Sequence, residues 1–208
     1  FHRFALLLPE DGTLIINGNI DHVEEITAGL SCRVITYGSS PSFDYSASQI
    51  TYDAFGCPSF HLMQRDGKED VFSLKVHGEH NVLNSLAAIA LADTLDIPRD
   101  ITAKGLLAFD GTDRRFEYKG QMNGVQIIDD YAHHPTEIRA TLTAAKEYPH
   151  KKLWCVFQPH TYTRTKAFLD EFANALSLAD EIILADIYAA REKDTLGISS
   201  QTLQSKIM

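Results

Sequence analysis

Between residues 125 and 185, three short apolar runs alternate with two helical stripes, and this alternation limits the fold more than any other feature of the chain. The runs at 125–128, 153–157 and 181–185 are of strand length. Between the first two, Pro135 opens a helix that carries Ile138, Leu142 and Ala145 on one face. Proline suits a first helical turn, where its missing N–H costs nothing. Phe168, Phe172 and Leu176 mark the second helix. Strand–helix alternation with loops this short predicts a parallel sheet with helices packed on it.

The first half has a different texture. Short strands are expected at 14–16 and 33–37, with weak helical spacing over 21–30 between them. Residues 44–76 alternate and carry glycine turns such as Arg65-Asp66-Gly67-Lys68, the pattern of antiparallel strands. Residues 81–95 place Val82, Leu86, Ile89 and Ala90 on one stripe and predict a long helix, with a shorter one at 101–109. The change near residue 111 predicts two domains, 1–111 and 112–208, in an α/β chain. The chain opens on Phe1, and its last nine residues read as a helix with nowhere to dock; both ends look cut, as in a fragment.

Composition removes several function classes. The net charge of −9, without a basic run, argues against nucleic acid as a partner. Apolar runs such as 4–8 are far too short to span a bilayer, and there is no signal peptide. Cys32, Cys57 and Cys155 are widely spaced and odd in number, as in the reduced thiols of a cytoplasmic protein.

Polar clusters follow all three strands of the second half. They are Asp129-Asp130-Tyr131-Ala132-His133-His134, Gln158-Pro159-His160-Thr161-Tyr162-Thr163-Arg164 and Asp186-Ile187-Tyr188-Ala189-Ala190-Arg191-Glu192. In a parallel sheet the carboxyl ends of the strands share one rim, where open α/β proteins bind ligands. Blander readings stand beside this one. Asp129 and Asp130 could serve only to start the helix at Pro135; Arg164, Tyr188 and Arg191 could be surface residues. Adjacent histidines point apart in extended chain, which speaks against His133 and His134 sharing a metal, so no metal ligand is assigned.

Two motifs lie elsewhere. In Gly78-Glu79-His80-Asn81-Val82-Leu83-Asn84 the two asparagines fall on one face at a helix start, and each offers the paired donor and acceptor that match an adenine edge. Helix capping is the competing account. Arg114 and Arg115 stand at the expected domain junction, either to clamp a phosphate or to form an interdomain ion pair. The chain contains no Gly-x-x-x-x-Gly-Lys-[Ser/Thr] phosphate loop.

Taken in order, Gly78-x-His80-Asn81-x-x-Asn84, Arg114-Arg115-Phe116-Glu117, Asp129 through Glu137 and Phe157 through Thr165 resemble the motifs of the Mur ligases, the ATP-dependent amide ligases of bacterial cell-wall precursor synthesis. The resemblance implies the second part of a P-loop-type central ATPase domain followed by a truncated, Rossmann-like C-terminal domain with a parallel sheet. It further implies ATP and magnesium as cofactors, with the phosphate loop and the magnesium ligands upstream of this chain. The last two motifs are most like the family member that joins L-alanine to UDP-N-acetylmuramate through an acyl phosphate, so these two are the implied small-molecule partners, and the fragment is expected to be inactive alone. On this basis His80, Asn81 and Asn84 would contact adenine. Arg115 would reach the nucleotide phosphates on domain closure, and Asp130 the ribose hydroxyls. Tyr131, His133 and Arg164 would line the amino-acid pocket, Arg164 pairing the alanine carboxylate, with Arg115 and His133 as the catalytic pair. Thr161 departs from the pattern, because some members carry arginine there.

Two rivals share these features. A ligase that returns a recycled tripeptide to the same sugar has the same Asp-Asp-x-Ala-His-His-Pro pattern, and Tyr131 with Tyr162-Thr163-Arg164 favours the alanine ligase. A non-catalytic nucleotide-binding module could use the same fold.

Overall fold

A computed structural model describes every residue except Phe55, Asp66, Lys68 and Met208. The chain forms two compact units, Phe1–Asp110 and Gly111–Met208.

The first unit is built on a five-stranded sheet. Strand β1 (Thr13–Asn17) lies parallel to β2 (Arg33–Gly38), with Ile15 opposite Ile35. Strand β3 (Tyr45–Tyr52) joins β2 in parallel through Tyr37↔Tyr45 and Gly38↔Ser46. Strands β4 (Pro58–Gln64) and β5 (Glu69–Ser73) then continue antiparallel. Of the turn expected at Arg65-Asp66-Gly67-Lys68, Asp66 and Lys68 lie outside the described residues. Phe60 and Phe72 pair across β4 and β5, stack at 5.8 Å and are fully buried. Short helices α1 (His2–Ala5) and α2 (Val23–Thr27) belong to this unit, and the long helix α3 (Glu79–Thr94) lays Val82, Leu86, Ile89 and Ala90 into the same core. Burying each such Phe or Leu side chain stabilises the fold by about 1.5–3 kcal/mol.

A polar network closes the C-terminal end of that helix. Arg99, the first residue of helix α4 (Arg99–Ala108), bonds Asp93 at 2.8 Å and Gln64 at 3.0 Å, and pairs with Asp70 at 3.3 Å. The Tyr45 hydroxyl donates to the same Asp93 oxygen at 2.8 Å. Burial, and then the Asp93 carboxylate, push the Tyr45 phenol up to about 12.

In the second unit, β6 (Glu117–Met122) and β7 (Val125–Asp129) form an antiparallel hairpin. Strands β8 (Trp154–Phe157) and β9 (Glu181–Leu184) are parallel, with Val156 opposite Ile183. The parallel ladder is thus confined to two strands, whereas the pattern predicted β7 beside them. Asn123 and Gly124, with φ of 52° and 82°, close the two-residue turn between β6 and β7, and a turn this short makes the local antiparallel partner the accessible one.

Helix α5 (Pro135–Glu147), helix α7 (Leu169–Leu176) and β8 meet in a core of Ile138, Leu142, Phe157, Phe172 and Leu176. The helix expected through Phe168 is broken there into α6 (Tyr162–Ala167) and α7, because Phe168 leaves helical geometry at φ −118° and ψ 31°. The C-terminal helix α8 (Ser200–Ile207) corrects a second expectation, since it does dock: Leu203 is fully buried in this core and Lys206 pairs with Asp170 at 2.8 Å. Leu203 and Ile207, four apart, share the face that seats it. All three cysteines are free, and burial pushes the Cys155 thiol up to about 11, away from thiolate chemistry. Among the described residues no helix is long and apolar enough to cross a membrane.

Candidate functional site

The parallel ladder continues past its strands into two of the polar loops. The Thr161 amide donates to the Tyr188 carbonyl at 2.9 Å, and the Tyr188 amide to that of Pro159 at 2.8 Å, so His160 and Tyr188 form a further parallel bridge. Their rings lie 5.4 Å apart. The loop after β7 reaches the same place: His133 stands 6.3 Å from His160 and 5.4 Å from Tyr131, centroid to centroid. Arg114 covers the outer face of Tyr131 at 4.6 Å. The three loops therefore meet in one row, Arg114–Tyr131–His133–His160–Tyr188, although β7 stands outside the ladder. Arg164 flanks the row with Nη1 3.5 Å from Nδ1 of His160.

The orientation of His133 follows from its neighbours. Its Nδ1 lies 3.0 Å from the Tyr131 carbonyl and 3.5 Å from Glu137 Oε2, both acceptors, so Nδ1 carries the hydrogen. In the neutral ring Nε2 then holds a free lone pair. His134 turns the other way: its Nδ1 accepts the Thr136 amide at the start of α5, and its ring meets Phe168 edge-on at 4.8 Å.

Glu137 completes this helix start. Its Oε2 accepts the amides of His133 at 3.0 Å and His134 at 3.2 Å, and its Oε1 lies 3.8 Å from the Arg115 guanidinium. Burial alone would raise its carboxyl pKa, but those amides and the charges of His133 and Arg115 outweigh it and hold the group low. The helix is thus capped by His134 and Glu137 rather than by Asp129 or Asp130. Asp130 has a different structural task, with Oδ2 accepting the Phe116 amide at 2.9 Å and Oδ1 that of Ala132 at 2.7 Å. Each carboxylate oxygen keeps a second lone pair for a ligand hydroxyl. Asp129 pairs with Arg114 at 3.5 Å.

Thr161 caps α6 from a strained position, φ 69° and ψ 146°, a region that is almost glycine's alone. Its Oγ1 accepts the Arg164 amide at 3.4 Å. Glu192, from the loop after β9, receives both the amide of Thr163 at 2.9 Å and its hydroxyl. Sequence reasoning gave Glu192 no role of its own and read Arg114 only as a phosphate clamp or an interdomain ion pair, not as a neighbour of Tyr131. A loop acid and one of two adjacent arginines carry no periodic signal, though the position of Glu192 in a strand-end cluster was a hint. Arg191 is exposed and makes no hydrogen bond or ion pair among the described residues.

His80, Asn81 and Asn84 lie in the first unit, on the first turns of the Glu79–Thr94 helix. Asn81 donates to the His77 carbonyl at 2.8 Å, and Asn84 donates to the Asn81 side-chain oxygen at 3.2 Å. The two amides brace each other on one face, and the exposed Asn84 keeps its own oxygen free among the described residues.

Two family models match the chain in succession, the Mur ligase middle domain over residues 2–92 and the Mur ligase, glutamate ligase domain over residues 114–208. The chain belongs to the Mur ligase family. The UDP-N-acetylmuramate–L-alanine ligase of Lachnoclostridium phytofermentans is 53% identical across 100% of this chain and 46% of its own length. The solved UDP-N-acetylmuramate–alanine ligase of Thermotoga maritima matches at 29% identity and a TM-score of 0.69, over 90% of this chain and 48% of that one. The murein peptide ligase of Psychrobacter arcticus matches at 29% identity and 0.64, over 88% and 39%. This Mur ligase chain therefore spans about half the length of the curated relatives it matches.

Among the described residues, no three His, Cys, Asp or Glu side chains group as ligands for a metal ion. The row in the second unit offers different chemistry. Arg164 supplies a fixed cation, His133 an available imidazole nitrogen, and Tyr131 and Tyr188 aromatic walls. That set suits a small amphoteric ligand with a carboxylate and an amine better than a polyanion.

Proposed function

We propose that the protein to which this chain belongs joins L-alanine to UDP-N-acetylmuramate in peptidoglycan precursor synthesis. ATP converts the lactyl carboxylate of the sugar to an acyl phosphate and leaves as ADP. The alanine amine attacks the acyl carbon, the tetrahedral intermediate expels phosphate, and one proton must leave the nitrogen. The observation that carries this reading is the row of rings Tyr131–His133–His160 with the Arg164 guanidinium at its flank. Arg164 pairs the alanine carboxylate, and His133 Nε2 takes the amine proton; a positioned general base of this kind contributes about 10²–10⁴-fold.

In this reading residues 1–111 are the second part of the central ATP-binding domain and residues 112–208 most of the Rossmann-like C-terminal domain. His80, Asn81 and Asn84 read the adenine edge, Asp130 holds ribose hydroxyls through its remaining lone pairs, and Arg115 neutralises nucleotide phosphate. Dependence on ATP and a UDP-sugar assigns the reaction to the cytoplasm, and its product to the wall that governs cell shape and division.

A second reading is supported by the likeness to the murein peptide ligase: the amine substrate is a tripeptide. Phosphate release by the full-length protein, with ATP, magnesium and UDP-N-acetylmuramate, separates the two. Release that requires L-alanine supports the first, release only with tripeptide the second, and silence with both favours a non-catalytic module.

A further inference from the structure

We infer that Glu192 is a positioning residue for the amino-acid pocket: its grip on Thr163 sets the first turn of α6 and, with it, the reach of Arg164. The inference rests on the proposed function, since it concerns how the amine substrate is held.

The loop after β9 is clipped to the start of α6 at two points. One is the backbone bond from Thr161 to the Tyr188 carbonyl at 2.9 Å. The other is Glu192, whose Oε2 takes the Thr163 amide at 2.9 Å and whose Oε1 takes the Thr163 hydroxyl. A turn closed by the Glu192 amide on the Ala189 carbonyl, at 2.9 Å, joins the two clips. Between them sits Thr161, in a conformation that is strained for a β-branched residue and persists only where its surroundings impose it. Arg164 is one residue beyond the Glu192 clip, and its amide is already bonded to Thr161.

The same bonds decide how a substrate carboxylate is held. The amides of Thr163 and Arg164 at the start of α6 are already bonded to Glu192 and Thr161. In this reading the carboxylate is met by the Arg164 side chain, whose root Glu192 anchors. The bonds from Thr163 also hold the Glu192 carboxyl below its ordinary range, so the anchor stays charged at neutral pH. A displacement of about 1 Å in a positioning group can cost up to about 10²-fold in rate or affinity.

The test uses the full-length protein and Glu192→Ala, Glu192→Gln, Thr163→Val and the double variant Glu192→Ala/Thr163→Val. Glu192→Ala is expected to raise KM for L-alanine about tenfold or more, with KM for ATP within about twofold of wild type. Gln retains an acceptor for the amide and a donor for the hydroxyl, and should restore most of the affinity. The double variant should be little worse than Glu192→Ala alone, because both changes remove one clip. An unchanged KM for L-alanine in Glu192→Ala would overturn the inference; so would KM values for alanine and ATP that rise together with a falling thermal midpoint. Wild-type kinetics are read first. Should tripeptide be the amine substrate, the same comparison is made on its KM; wild-type silence with both amines sinks the functional reading and this inference together.

Discussion

The Arg115 guanidinium lies 3.8 Å from the carboxylate of Glu137, which also accepts the amides of His133 and His134. One acid thus touches both residues proposed for catalysis. Arg115 is half exposed, and ion pairs of that kind contribute about 0–1 kcal/mol. Arg115→Ala should leave the thermal midpoint nearly unchanged while slowing turnover of the full-length enzyme about 10²-fold or more. Steady-state kinetics with saturating ATP check this, and unaltered kcat removes Arg115 from the site.

Glu137→Ala removes a helix cap and should cost about 1–2 kcal/mol of stability. The sign with pH is fixed by the lowered carboxyl pKa. Its contribution is present above the unfolded value of about 4.3 and fades as pH falls through the folded one. Melting curves should show wild type and variant separated at pH 7 and converging below about pH 4.

Tyr45 titrates in the opposite sense. With its phenol pushed up to about 12, it contributes stability below the unfolded value of about 10, and that contribution is lost as pH rises to 12. Tyr45→Phe should be less stable at pH 8, through loss of the bond to Asp93, and should lack the wild-type decline above about pH 10. Chemical unfolding across pH 8–11 reads both effects.

Thr161→Gly should relieve backbone strain worth about 1–3 kcal/mol, while giving up the long cap bond to Arg164. The expected result is a thermal midpoint equal to or above that of wild type, with a raised KM for the amine substrate. A lower midpoint would show that the cap outweighs the strain.

Legibility in the sequence followed signal strength. The Glu79–Thr94 helix announced itself through Val82, Leu86, Ile89 and Ala90, and α5 through Pro135 and a clear inward face. The rim clusters were visible because polar residues after apolar runs are conspicuous, and the loops carrying Tyr131, His160 and Tyr188 do come together. Strand β6 was passed over because Glu117–Met122 is polar and has no fully buried residue, although Asn123-Gly124 marked its hairpin. The apolar part of the α8 docking face consists, among the described residues, of Leu203 and Ile207, too few to show as a stripe. Glu192 meets Thr163 across 29 residues, a contact that no local pattern encodes.

His160 and Tyr188 face each other as the last rung of a ladder that begins at Trp154 and Glu181. A slip of one residue between β8 and β9 would turn every β8 side chain to the other face and part the two rings. The amides of Thr161 and Tyr188 should therefore exchange with solvent as slowly as those of the strands. Substitutions at Cys155 or Ile182, partly buried against the core and outside the row of rings, would then surface as changes in amino-acid selectivity.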